Sequence, residues 1–323
     1  MTLLQKILHP RGRRYAGQPF DVSSRHSIQM VNESGGVDLM DPQREFVVVD
    51  HFYHESQYWR ARVPLSGVQQ IFGQAFNFSK PKTRPGPNGP ELVVDHQGVP
   101  KRTIPGLNHV QCRFVFSAHS PIRLYPLGSS AEHTPHHELV DMIYSIEAVG
   151  PLGVRFNFRD AFMGNLISAH RLLSGREMVF ERIVVENMYV LESPPLPLDE
   201  HKRRAALVAS VLRSHRAAMN ETYYLFRCFG TNNCTSTPLR EIDRIADYRF
   251  LNRLGAMLYR LPIHPRLYLR LRGLDSDRTV RKLVRDQFTD FVNDPETIRR
   301  KRAYVRARTQ ALRALRATRT QTP

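Results

Sequence analysis

The chain has 323 residues, 41% of them hydrophobic, enough to fill the core of one large domain or two modest ones. Its 47 Lys and Arg against 30 Asp and Glu leave a formal net charge of +17, a field that draws polyanions and by itself does not choose between nucleic acid and anionic lipid. Three cysteines, Cys112, Cys228 and Cys234, cannot all pair within the chain and none stands in a Cys-x-x-Cys arrangement, which argues against a disulfide framework and against zinc or thioredoxin-like motifs.

In chain order, residues 1–40 read as a basic irregular arm. Lys6, His9, Arg11, Arg13 and Arg14 interrupt the start before a secretory apolar core can form. Glu45 to Tyr53 and Tyr58 to Leu65 predict a pair of strands, the second alternating Trp59, Ala61 and Val63 with Arg60 and Arg62. Lys80 to Pro90, with its prolines and glycines, predicts a loop. His109 to Ser117 alternates on a period of two: Val110, Cys112, Phe114 and Phe116 face one way, His109, Gln111 and Arg113 the other. This predicts a half-buried strand with His109 at its start. Residues 118–138 read as a polar connection, Asp141 to Val149 as a second strand and Val179 to Leu191 as a third. Asp199 is placed to cap an amphipathic helix over Glu200 to Asn220. Tyr223 to Phe229 reads as extended, its aromatics better suited to core packing than to a groove wall, and Pro238 to Asp247 as a helix. The tail from Arg299 to Arg319 carries nine basic residues, no acid and a thin apolar stripe. No stretch approaches the ~18 apolar residues of a membrane span, so the expected location is cytoplasmic or peripheral to a membrane.

Cys234 stands out chemically. The run Thr231-Asn232-Asn233-Cys234-Thr235-Ser236 is polar and turn-like and leads into a predicted helix, where the helix terminus would favour thiolate. The main-chain N–H groups of that turn, with Asn233, Asn232 and Thr235 beside them, form a candidate oxyanion hole. A buried structural cysteine is the competing reading.

The order Leu107-Asn-His109-Val-Gln-Cys-Arg-Phe-Val-Phe116, then Ile143-Tyr-Ser-Ile-Glu147-Ala, then Tyr223-Tyr-Leu-Phe226 with Thr231-Asn-Asn-Cys-Thr235, resembles the bacterial domain family named after the periplasmic part of Lnb. The similarity covers roughly residues 100–250 and departs from the pattern at Ala148-Val149-Gly150-Pro151. It implies an α+β papain-like fold, circularly permuted as in NlpC/P60-like enzymes, with an antiparallel sheet and packed helices. It also implies a thioester acyl-enzyme on Cys234, His109 as base and Glu147 as its orienting carboxylate. Members tied to lipoprotein N-acylation move a fatty acyl group from a phospholipid to an amine. A carboxylate beside a strand histidine can hold the tautomer that accepts the thiol proton; Asn108 or Gln111 could take that role instead, and His119 or the 133–137 histidines are the next bases.

The cluster His133-Thr-Pro-His136-His137-Glu138 has zinc-ligand residue types but no helical spacing, and reads as a solvated loop. The expectation is therefore a papain-like domain over residues 41–275 acting as a thiol acyltransferase or hydrolase, with a basic helical tail over 276–323. No cofactor and no metal are expected. The partners are an acyl-bearing substrate, such as a phospholipid or lipoprotein, and an anionic membrane surface. The alternative is an inert basic protein that binds nucleic acid or lipid.

Overall fold

The computed structural model describes residues 14–31, 38–86, 89–96, 98–104, 107–129, 134–154, 156–225, 232–246, 248–253, 265–275 and 282–320. The arm up to Arg13, the Ser34-Gly-Gly36 stretch, His133, Phe226, Cys228, Phe229 and Thr231 lie outside the described residues.

The strands are β1 (Gln29–Met30), β2 (Phe46–His54), β3 (Gln57–Pro64), β4 (Val68–Asn77), β5 (Thr83–Arg84), β6 (Glu91–Leu92), β7 (Asn108–Phe116) and β8 (Ile122–Pro126). After them come β9 (His137–Leu139), β10 (Asp141–Val149), β11 (Leu166–Ser174), β12 (Leu191–Pro195), β13 (Thr222–Tyr223) and β14 (Lys282–Leu283). The helices are α1 (Phe158–Met163), α2 (Gly175–Met178, running on as a π-helix over Val179–Val185), α3 (Glu200–Ala217), α4 (Ser236–Ile245), α5 (Pro265–Leu271), α6 (Val284–Gln287), α7 (Thr289–Asn293) and α8 (Pro295–Thr320).

The fold is mixed α+β. Two antiparallel runs, β14-β12-β4-β7-β10-β11 and β2-β3-β8-β9, are joined by a parallel contact between β11 and β2 at Leu173 and Tyr53. The sheet is therefore mixed where an antiparallel one is expected. The predicted strand pair is β2–β3, and among the described residues the loop over 80–90 contains only the two-residue strand β5.

β7 lies between β4 and β10 and is packed on both faces, so it is buried along most of its length rather than half-buried. Cys112, Phe114, Tyr144 and Ile146 pack with Leu207 and Val211 of α3 and Leu239 and Ile242 of α4. On the opposite face, Phe76, Ile143 and Leu173 pack with Met178, Val179, Phe180 and Ile183. The alternation of β7 thus separates one apolar interior from another whose polar members must find protein partners.

Two expectations are corrected. The connection 118–138 contains β8, whose Ile122 and Leu124 are buried and whose Arg123 and Tyr125 pair with β3. The expected strand over 179–191 is helical up to Val185 and extended only from Leu191. Val179, Phe180, Ile183 and Val184 recur at helical spacing and bury together, which outweighs the strand preference of that β-branched run. Asp199 caps α3 as expected, its carboxylate accepting the Lys202 N–H at 2.8 Å.

The described segments flanking the sheet are tied down, the C-terminal helix against the π-helix. Ile28 is buried beside β1, and the Tyr15 hydroxyl donates to Asp160 at 2.7 Å. In α8, Thr297 is buried, Arg300 pairs with Glu177, and Tyr304 meets the Phe180 ring edge-on. Among the described residues no helix is long and apolar enough to cross a membrane.

Candidate active site

Pairing between β10 and β7 runs only as far as Ser145 opposite Gln111, after which β10 continues beside β11 alone. The open stretch of β7 is met by the turn that starts α4. Thr235 donates its hydroxyl to the Asn108 carbonyl at 3.0 Å, the Cys234 sulfur lies 4.0 Å from the same oxygen, and the Val110 N–H points at that sulfur. The thiol therefore rests on the main chain on either side of His109.

Asn233 builds this turn. Its side-chain oxygen accepts the N–H groups of Thr235 at 2.9 Å and Ser236 at 2.7 Å, while its amide donates to the Leu225 carbonyl at 2.7 Å. Asn232 donates to Glu221 at 2.9 Å and accepts from the Thr237 hydroxyl at 3.2 Å. The N–H groups expected to form an oxyanion hole after Cys234 are thus spent on capping α4. The Cys234 N–H instead faces the Tyr223 hydroxyl at 3.5 Å, and that hydroxyl also lies 3.5 Å from the sulfur.

His109 faces the other way, stacked on Phe76, its pairing partner in β4, with ring centroids 4.8 Å apart. Its Nε2 lies 2.8 Å from the Ser145 hydroxyl, and Ser145 donates to Glu147 at 2.9 Å. Ser145 has one proton and the carboxylate has none to give, so Ser145 Oγ must accept from His109. Nε2 then carries the ring proton and Nδ1 is the basic nitrogen. Glu147 reaches Nε2 directly only at 3.8 Å. It pairs with Arg182 of the π-helix, whose second guanidinium nitrogen binds Glu186, and with Arg171 at 3.9 Å, itself paired to Glu181.

The charges follow from this arrangement. Burial disfavours ionised Glu147, but Arg182, with smaller help from His109, Arg25 and Arg171, holds its carboxyl well below the ordinary range. Burial lowers His109 to about 4, against a smaller upward pull from Glu147, so the imidazole is neutral at pH 7. Burial raises the Cys234 thiol, and the Tyr223 hydroxyl only partly counters it. The thiolate expected at the start of α4 is therefore not favoured in the closed site: at 3% exposure, desolvation outweighs the helix terminus. Thiol and imidazole are both neutral at rest.

The structure thus brings the Cys234 thiol against the main chain of the His109 strand and joins His109 to Glu147 through Ser145, but the thiol and the imidazole make no contact with each other: the sulfur meets Tyr223, Asn108 and Thr235, while the ring is turned to Phe76 and Ser145. Asn232, Asn233 and Thr235 position the turn. Ser145 and Arg182 join the site without being singled out by sequence, and Tyr223, read from sequence as a core aromatic, is buried but also presents its hydroxyl to the thiol. For Ser145 the signal is its place two residues before Glu147 on the same strand face; for Arg182 there is none, since its segment reads as a strand. In the histidine-rich loop, Glu138 pairs with Arg123 at 3.0 Å and His136 packs on Trp59, so these two do not gather at one point. Compared with protein-family models, with curated proteins and with solved structures, the chain gives no match.

Proposed function

We propose that this chain is a papain-like thiol enzyme that forms a thioester acyl-enzyme at Cys234, with His109 Nδ1 as general base. The observation that carries the reading is the buried chain His109 Nε2–Ser145–Glu147, which assigns the imidazole its tautomer and whose histidine belongs to the strand against which the Cys234 sulfur rests. The order of His109, Glu147 and Cys234 along the chain, and a cysteine turn opening a helix beside the histidine strand, support kinship with permuted papain-like domains such as the Lnb-type family.

The reaction requires the His109 ring and the Cys234 thiol, which do not touch in the resting structure, to come within reach of each other; Nδ1 then takes the thiol proton as sulfur attacks the acyl carbonyl. Glu147 stabilises the imidazolium through Ser145, and the Tyr223 hydroxyl, 3.5 Å from the sulfur, is a donor at hand for the developing oxyanion. The imidazolium returns its proton to the leaving group, and water or an amine then takes the acyl group. The substrate class is an acyl ester or amide, with a phospholipid as a fitting donor, and no cofactor is needed for this chemistry.

The test is incubation with an activated acyl ester followed by intact-mass and peptide analysis. The reading expects one acyl mass on Cys234, released by hydroxylamine and missing in Cys234→Ala. An unmodified chain, or an acyl group elsewhere, contradicts it. A second reading, docking on a polyanionic surface, is favoured by α8, which exposes Arg299, Arg302, Arg306, Arg308 and Arg313 with Glu296 as its only acid.

A further inference from the structure

At the far end of the β2–β3 hairpin, a second group of chemistry-bearing side chains meets outside the thiol site. His54 ends β2, Glu55 opens the two-residue turn into β3, and His137 opens β9. Glu55 and Ser56 both take left-handed backbone angles, φ 50° and 63°, which turn the chain back on itself at that point. His54 Nε2 lies 3.7 Å from one oxygen of Glu55, and His137 Nε2 lies 4.0 Å from the other. The two imidazoles meet edge to face at 4.9 Å, with the Trp59 ring 5.0 Å from His137.

We propose that His54, Glu55 and His137 form a binding site for a divalent transition metal, with zinc the best match. Two imidazole nitrogens and one carboxylate are a borderline-soft donor set of the kind zinc takes, with a fourth position left for water or another ligand. Bonds of about 2.0–2.1 Å place tetrahedral ligand atoms ~3.4 Å apart, and the three donor atoms here already lie within 4.8 Å of one another. Glu55 is half exposed and His137 about a third exposed, so small side-chain rotations close the difference. His54 is held in advance. Its Nδ1 lies 2.7 Å from the buried Ser174 hydroxyl, which also accepts the Glu177 N–H, so an Nδ1–H donated to Ser174 leaves the Nε2 lone pair facing Glu55. Such a second partner on the far ring nitrogen is the usual support of a metal-bound histidine. Arg300, the nearest fixed cation on α8, is neutralised by Glu177 at 2.6 Å and does not bind Glu55. A bound ion would tie the β2–β3 turn to β9. The site is independent of the thiol chemistry.

The test uses the full chain, stripped with a chelator and titrated with zinc in competition with a chromophoric chelator. A parallel cobalt(II) titration is read by its visible spectrum. The expected result is one zinc per chain and a four-coordinate cobalt spectrum. His137→Gln and Glu55→Gln, both at solvent-reaching side chains, are expected each to weaken binding at least tenfold while melting like the wild-type apo protein. Absence of zinc binding by the wild type, or wild-type affinity in either variant, overturns the proposal.

Discussion

Replacing Glu147 with Gln leaves the Arg182 guanidinium, 6% exposed, without its closest anionic partner. A buried ion pair broken on one side costs about 3–5 kcal/mol, because the surviving charge keeps its desolvation penalty. Glu186 retains one nitrogen of Arg182, so a loss near the lower bound, about 3 kcal/mol, is expected as a lower urea midpoint. An unchanged midpoint would show that Glu147 does not carry the charge assigned to it. The same pairing gives the carboxylate two duties: it fixes Arg182 in the fold and orients His109 through Ser145.

The turn that starts α4 rests on Asn233, since Thr235, which directly precedes the helix, makes no side-chain cap of its own. Asn233→Ala removes the acceptor for two N–H groups, and loss of such a cap typically costs about 1–2 kcal/mol. The expected result is a lower melting temperature with less protection of the Thr235 and Ser236 amides in hydrogen exchange. Wild-type protection at those amides would refute the capping role. At this scale the sequence was most legible where one periodicity or one cap decides the outcome: the β2–β3 pair, β7, β10, and α3 behind Asp199. It was least legible where both faces are buried. β4 and β11 alternate weakly because apolar and polar residues alike find partners inside, and Arg171 and Gln74 are as buried as their apolar neighbours. The π-helix carries a strand-like composition, so the sequence did not point to Arg182 as the partner of Glu147.

Across the molecule, buried neutral histidines tie stability to pH. His109 is lowered from 6.5 to about 4 by burial, against Glu147 and with Arg182, Arg25 and Arg171 adding to the shift; His170 is likewise lowered by burial and by Arg213. Below pH 6.5 the unfolded chain binds protons that the folded one refuses, so stability is full above 6.5 and falls as pH drops toward 4. Urea midpoints across that window are expected to decline, and a midpoint that rises on acidification would contradict this. Removing residues 306–323 spares Thr297, which is buried, and Arg300 and Tyr304, which hold α8 to Glu177 and Phe180. It is expected to weaken sedimentation with anionic vesicles, most clearly at low salt, and unchanged sedimentation would refute surface docking by α8. The central claim is that Cys234 and His109 act as one unit held by Ser145. The most direct measurement is the rate of acyl-adduct formation at Cys234 in the wild type, Ser145→Ala and His109→Ala, each verified as folded. The expected order is wild type fastest, Ser145→Ala intermediate, and His109→Ala slowest by about 10²-fold or more; three equal rates would contradict the account.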